Sequence, residues 1–116
     1  MRVIIAGSRG ITDYELVLDA VEKAGFDITE VVSGTARGVD RLGERFAEDT
    51  GVALARFPAD WNGPHKKAAG HIRNRKMAEY ADALIAIWDG KSSGTSNMIN
   101  EARKLGLQVY VHSVTM

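Results

Sequence analysis

The sequence predicts an α/β protein built on a parallel sheet of five strands. Short runs of β-type residues recur at regular intervals, and segments with helical periodicity separate them. This alternation is typical of βαβ units, in which right-handed crossovers place the strands parallel to one another. The five predicted strands are Arg2–Ala6, Ile28–Val32, Val52–Phe57, Ala83–Trp88 and Leu107–Val111.

Four helices are expected between these strands, and the first, second and fourth have recognisable ends. The first is expected to begin at Thr12, which has a capping-box spacing to Glu15, and to end at Gly25. Glycines are also expected to end the second helix, at Gly51, and the fourth, at Gly106.

Composition limits the class of protein. A chain of 116 residues with 45% hydrophobic content is expected to form one domain, and its fifteen basic and fifteen acidic residues leave no net charge to attract nucleic acid. The sequence has no cysteine, which excludes disulfides and fits a reducing compartment. No apolar run is long enough for a signal segment or a membrane span, so we expect a cytoplasmic protein without membrane contact.

Three loops that each follow a predicted strand are rich in glycine, hydroxyl and charged residues. In a parallel α/β sheet these loops lie along one edge, where ligands bind. Backbone N–H groups at the helix starts, together with the positive end of the helix dipole, favour an anion such as phosphate. The candidate ligand-binding residues in these loops are Gly7, Ser8, Arg9, Ser33, Gly34, Arg37, Gly38, Asp40, Asp89, Gly90, Ser92, Ser93, Gly94 and Thr95.

The third helix adds two candidate ligand-binding residues, Arg73 and Asn74. On a period of 3.6 residues, Met77 and Ala81 face the sheet, which places Arg73 and Asn74 on the same inward side at the helix start. Arg73 is alternatively explained by extension into solvent or by pairing with a carboxylate.

Other residues on this edge also have structural explanations. Helix capping by Ser93 or Thr95 accounts for the hydroxyls of the last loop. Asp40 is open to three interpretations: a helix cap, a partner for a ribose hydroxyl, or a base. Trp88 is explained either by packing in the core or by stacking on a base.

Several common sites are excluded. Gly90-Lys91-Ser92 is similar to the end of a P-loop, but Ile85 stands where that motif needs a glycine. The first loop falls short of the dinucleotide-binding pattern, and the histidines lack metal-ligand spacing to carboxylates. We therefore expect no cofactor and no metal.

Taken together, the motifs resemble the SLOG superfamily of Rossmann-like proteins, and closely its YspA-like branch of small single-domain proteins. The resemblance implies a Rossmann-like three-layer α/β/α fold over residues 1–116, a nucleotide-derived ligand at the carboxyl edge of the sheet, and a homo-oligomer. It rests on Gly7-Ser8-Arg9, Ser33-Gly34-x-Ala36-Arg37-Gly38-Val39-Asp40, Phe57-Pro58-Ala59-Asp60-Trp61, Ala69-Gly70-x-Ile72-Arg73-Asn74 and Trp88-Asp89-Gly90-x-Ser92-x-Gly94-Thr95.

Two related families are resembled in part, and the chain departs from both. The second loop is similar to that of the DNA-processing protein A family, which binds single-stranded DNA, but the chain lacks accessory domains and a strongly basic face. Arg73, Met77 and Gly94-Thr95 are similar to the LOG-type phosphoribohydrolases. Those enzymes have a catalytic glutamate two residues after the threonine, where this sequence has Asn97.

These motifs and resemblances suggest three alternative functions. The preferred one is binding of a nucleotide or nucleotide-derived ligand, with sensing as a role. The second is hydrolysis of an N-glycosidic bond in a nucleotide, with Asp40, Arg73 and Asp89 as the candidate catalytic residues. The third is a single-stranded nucleic-acid-binding module, which the neutral net charge disfavours and which would use Arg37, Arg41, Trp61, Lys66 and Lys67.

Overall fold

The computed structural model describes residues 1–115 and shows five strands and four α-helices within them. The strands are β1 (Arg2–Gly7), β2 (Glu30–Ser33), β3 (Ala53–Arg56), β4 (Ala83–Trp88) and β5 (Gln108–Ser113). The helices are α1 (Tyr14–Ala24), α2 (Val39–Thr50), α3 (Ala69–Tyr80) and α4 (Ser93–Lys104), and a short 3-10 helix (Lys66–Ala68) leads into α3.

The five strands form one sheet in the order β3-β2-β1-β4-β5, with every neighbouring pair parallel. Helices α1 and α2 pack on one face of the sheet, and α3 and α4 pack on the other. This is the Rossmann-like three-layer α/β/α arrangement, so the predicted fold class is confirmed.

The core lies on both faces of the two central strands. Ile4 pairs with Leu84 and Ile5 pairs with Ile85, and all four side chains are inaccessible to solvent. Because side chains alternate along a strand, Ile5 and Ile85 contact the layer of α1 and α2, whereas Ile4 and Leu84 contact the layer of α3 and α4. Two buried faces explain why these strands are continuously apolar in the sequence.

Two predicted helix starts are wrong. Helix α1 is capped by Asp13, whose carboxylate accepts a 3.0 Å hydrogen bond from the Glu15 amide, and not by Thr12. Because α1 begins at Tyr14, Glu15 is its second residue, which leaves no capping-box geometry with Thr12. Helix α4 is capped by Ser92, one residue before the earlier of the two predicted caps.

The glycine ends of the first two helices are as predicted. Gly25 and Gly51 follow α1 and α2 with φ values of 69° and 77°, and each donates its backbone N–H to a carbonyl of the last turn. This left-handed conformation is one that glycine adopts without steric cost. Of the helices within residues 1–115, none combines the length and the apolar character needed to cross a membrane.

Candidate functional site

The strand order places a crevice at the carboxyl ends of β1 and β4. The chain leaves β1 towards α1 and α2 on one face of the sheet, and it leaves β4 towards α4 on the other. Connections that depart in opposite directions from neighbouring strands leave an opening between them, which is where parallel α/β sheets bind ligands.

Ser8 joins the loops that follow these two strands. Its side chain is 1% exposed, its backbone N–H donates to the Ile87 carbonyl at 3.1 Å, and its hydroxyl accepts a 3.1 Å hydrogen bond from the Asp89 amide. The hydroxyl predicted to bind a ligand therefore holds the β1 and β4 loops together.

Gly38 allows the loop after β2 to lie directly against the loop after β1. Its φ is 79°, and a Cβ at this position would stand 2.5 Å from the Arg9 carbonyl oxygen and 2.6 Å from that of Ser8. Gly7 has a similar role beside β4, since a Cβ there would overlap the Ile87 carbonyl oxygen. Both candidate glycines therefore provide space for backbone packing.

Asp40 is a buried carboxyl at the start of α2. It is 5% exposed, and its Oδ2 accepts a 3.1 Å hydrogen bond from the Ala36 amide. Burial raises the pKa of Asp40 to about 6, while the Ala36 hydrogen bond and the positive charge of Arg73 act in the opposite direction. The cap of α2 is Gly38, which excludes the capping interpretation of Asp40.

Arg73 extends from α3 into the crevice, as the helical period predicts. Its Nη1 donates to the Gly34 carbonyl oxygen, and its Nε donates to Oδ1 of Asn74 at 2.9 Å. Burial lowers the pKa of Arg73, and the nearby carboxylate of Asp40 partly restores it. The guanidinium is thus held by two neighbouring groups near a single buried carboxyl.

The loop between β4 and α4 is built by its own polar side chains. Asp89 Oδ1 accepts hydrogen bonds from the amides of Lys91 and Ser92 at 2.8 and 3.0 Å, and these bonds lower the pKa of Asp89. The Ser92 hydroxyl accepts from the Thr95 amide at 3.4 Å and from the Thr95 hydroxyl at 3.1 Å. The first-turn amides of Ser93 and Gly94 lie where an α-helix has no internal acceptor for its N–H groups.

These elements line a small, partly open cavity of about 60 Å³. It is lined from all sides of the crevice by Ala6, Gly7, Arg9, Ala36, Asp40, Arg73, Asn74, Met77, Ser92, Gly94, Thr95 and Met98. Beside it lies a more open recess of about 440 Å³, which shares Arg9, Ala36 and Arg73 with the cavity and also contains Gly34 and Arg37.

Six of the candidate ligand-binding residues line neither the cavity nor the recess: Ser8, Ser33, Gly38, Asp89, Gly90 and Ser93. Ser33 is buried, and its hydroxyl donates a 2.7 Å hydrogen bond to Glu44 on α2. Gly90 turns the chain at a φ of 81°. Ser8, Ser33 and Asp89 thus make hydrogen bonds that hold the loops carrying the other candidates.

The two tryptophans have different surroundings. The Trp88 indole packs against the apolar layer of α3 and α4 and donates from Nε1 to the Ser92 carbonyl oxygen at 3.1 Å, which favours the core interpretation. Trp61 is 50% exposed and lines the recess together with Arg37, whereas Arg41 lies at a different opening on the outside of α2.

Sequence reasoning missed Thr35, which also lines the recess. It has a φ of 65°, a left-handed conformation that is uncommon for a β-branched residue and that accompanies functional loops. The two glycines that flank this loop, Gly34 and Gly38, were the signal that its backbone is unusual. Within residues 1–115, no group of three His, Asp or Glu side chains is placed to hold a metal ion.

Comparisons with known proteins agree with this architecture. A sequence model of the YspA, cpYpsA-related SLOG family matches residues 1–63. The Gene 61 protein of Mycobacterium phage D29 is 36% identical over 118 aligned residues, which cover 93% of each chain. The X-ray structure of DNA processing protein A from Streptococcus pneumoniae superposes with a TM-score of 0.74 at 18% identity. That match covers 95% of this chain and 49% of the larger protein, and it shows the shared fold.

Proposed function

The chain belongs to the YspA, cpYpsA-related SLOG family, and from this membership we propose that it binds a nucleotide or nucleotide-derived ligand at the carboxyl edge of the sheet. The observation that supports this most directly is the position of Arg73. Its side chain lies at the junction of the small cavity and the larger open recess, near the first turn of α4.

The small cavity suits a phosphoryl group. Its volume of about 60 Å³ is much smaller than the 440 Å³ of the neighbouring recess, so a compact group fits it better than a nucleobase with its ribose. Arg73 and Arg9 contribute positive charge and planar sets of donors, which oppose the carboxyl of Asp40 in the same lining, and Gly94 belongs to the first turn of α4. The rest of the ligand would extend into the recess of about 440 Å³.

A sensing role fits the site better than turnover. The LOG-type enzymes that the chain resembles use a glutamate two residues after the loop threonine, and this chain has Asn97 there. Asp89, a second carboxylate near the site, accepts hydrogen bonds from two amides of its own loop. The ligand would therefore be held without being cleaved.

Thermal unfolding in the presence of nucleotides tests this proposal. A ligand that binds only the folded protein raises the free energy of unfolding by about 2.7 kcal/mol at a hundredfold excess over its Kd. The panel comprises nucleoside monophosphates, nucleoside diphosphates, cyclic nucleotides, ADP-ribose and NAD. If none of them shifts the melting temperature at millimolar concentration, the proposal is wrong.

Replacing Arg73 tests the location of the site. Arg73→Ala removes a charge-assisted hydrogen-bond donor, so it should weaken a phosphate-bearing ligand by about 1.5–3 kcal/mol while the fold survives. Arg75→Ala is the matched control, because Arg75 lies on the same helix with a side chain that is 54% exposed. Equal affinity of both variants for the ligand would place the site elsewhere.

Hydrolysis of an N-glycosidic bond in a nucleotide is the second candidate function, and the raised pKa of Asp40 favours it. Its pKa of about 6 is in the range of carboxyl groups that act as acid or base near neutral pH, and the residue lines the small cavity. In this reaction water would add to the anomeric carbon of the ribose while the base departs with a proton.

A further inference from the structure

The recess beside the small cavity has a strongly positive lining. Three arginines, Arg9, Arg37 and Arg73, line it together with Trp61 and residues 34–36, and the lining includes no carboxylate. Within residues 1–115, none of these three arginines forms an ion pair with an Asp or Glu side chain. Guanidinium groups gathered in one recess without a direct ion pair attract a ligand that carries several negative charges.

The distribution of the arginines indicates where those negative charges lie. Arg73 and Arg9 line both the cavity and the recess, whereas Arg37 lines only the recess. Because Arg37 does not line the small cavity, a single phosphoryl group held there would not contact it. A second phosphoryl group in the recess would contact Arg9 and Arg37.

Trp61 provides an aromatic surface next to these arginines. Its Cη2 atom would lie 3.4 Å from a Cβ at Gly70, so one edge of the indole packs over the first turn of α3. Half of the residue remains exposed, in a lining that is otherwise polar or small. Exposed aromatic rings beside cationic groups are the surfaces on which nucleobases stack. The other tryptophan, Trp88, is held by Ser92 and the core.

We infer that the ligand is a nucleotide with at least two linked phosphoryl groups, and that Trp61 stacks on its base. The terminal phosphoryl group occupies the small cavity at Arg73, the next one lies between Arg9 and Arg37, and the base lies on the open face of Trp61. This inference rests on the proposed function, because it assigns the parts of the same ligand to particular residues.

Calorimetric titration with matched probes tests the assignment. The probes are AMP, GMP, CMP and UMP, the four corresponding diphosphates, and inorganic pyrophosphate. With the wild-type protein, at least one diphosphate should bind about tenfold more tightly than its monophosphate. Arg37→Ala should reduce this preference about fivefold or more, because it removes a charged donor from the second phosphoryl group. Arg103→Ala, at an exposed arginine in the last turn of α4, is the control.

Substitution of Trp61 separates the base from the phosphates. Trp61→Ala should weaken the diphosphate about tenfold and leave pyrophosphate unchanged, whereas Trp61→Phe, which keeps an aromatic face, should recover most of the affinity. Leu18→Ala is the control, because Leu18 is a similarly exposed apolar side chain on α1. Tryptophan fluorescence gives a second readout: the diphosphate should change the emission of the wild-type protein and not that of Trp61→Phe.

The outcomes distinguish the two proposals. Equal affinities for mono- and diphosphates, or an unchanged diphosphate affinity in Trp61→Ala, would overturn the inference. If binding in that case still depends on Arg73, the proposed function is upheld. If no nucleotide of either series binds the wild-type protein, the proposed function fails and the inference fails with it.

Discussion

The side-chain amide of Asn74 donates a 2.9 Å hydrogen bond to Oδ1 of Asn97, across the contact between α3 and α4. The same amide donates to the Gly94 carbonyl oxygen at 3.2 Å, and Oδ1 of Asn74 accepts from Nε of Arg73. One buried asparagine therefore fixes the Arg73 guanidinium relative to the first turn of α4.

We expect no release of free base when the protein is incubated with nucleoside monophosphates. The side chain at position 97 is an amide, which cannot act as a general acid or base near neutral pH, and its oxygen already accepts from Asn74. Chromatography of the reaction mixture measures the free base. Base release that Asp40→Asn abolishes would show that the protein is a hydrolase.

Asn97→Glu should fold normally, since a carboxylate at this position keeps an acceptor for the Asn74 amide. Catalysis requires a reacting group placed within a fraction of an ångström, so the new carboxylate alone should add no measurable hydrolysis. The same chromatographic assay checks this, with circular dichroism as the test of folding. Base release by Asn97→Glu would show that the remaining site is already aligned for the reaction.

The stability of the protein should fall as the pH rises from about 4 to about 7 through the titration of Asp40. Its pKa is about 6 in the folded protein and near 4 in an unfolded chain, so the folded state binds more protons between these values. Full ionisation of Asp40 should therefore cost up to about 3 kcal/mol. Arg73 and Arg9 favour the ionised carboxylate, whereas burial and Glu44 oppose it.

Asp40→Asn isolates this contribution. The asparagine side chain keeps an oxygen for the Ala36 amide, so the variant should be more stable than the wild-type protein above about pH 6 and should lose this part of the pH dependence. Urea unfolding across the pH range measures the difference. Asp27→Asn, at an exposed carboxylate, is the control and should behave like the wild-type protein. The prediction would be contradicted if stability depended on pH identically in the wild-type protein and both variants.

Three glycine-to-alanine substitutions separate steric overlap from backbone strain. Gly25 has a φ of 69° and open space around it, so Gly25→Ala should cost about 1 kcal/mol from strain alone. At Gly7 the overlap with Ile87 acts without a left-handed backbone, and at Gly38 both effects combine. Chemical unfolding should therefore show a larger loss of stability for Gly38→Ala than for Gly25→Ala. Equal losses at Gly25 and Gly38 would show that the β1 and β2 loops are not tightly packed.

Ser92→Ala should destabilise the protein by about 1 kcal/mol, because the Ser92 hydroxyl caps α4 and accepts from both the amide and the hydroxyl of Thr95. Ser93→Ala should be neutral, since Ser93 is exposed in the first turn. Thermal unfolding of the two variants compares them directly, and a larger loss for Ser93→Ala would reassign the cap.

The sequence by itself determined the fold class. Apolar runs such as Ala83–Trp88, alternating with helical periods, require a parallel sheet covered on both faces, because an exposed apolar strand would lose its hydrophobic stabilisation. The inward position of Arg73 and Asn74 followed from the 3.6-residue period of Met77 and Ala81. These conclusions depend on local periodicity, which a single sequence records.

Only the tertiary structure decided what each polar group of the candidate site contacts. Ser8 and Asp89 have the residue types of ligand-binding groups, yet Ser8 bonds to the β4 loop and Asp89 to its own loop. The raised pKa of Asp40 and the placement of Trp61 beside Arg37 depend on chain segments that are distant in sequence. Hydrogen-bond partners and burial depend on which segments of the chain meet in space. Local residue patterns do not say which distant segments will meet.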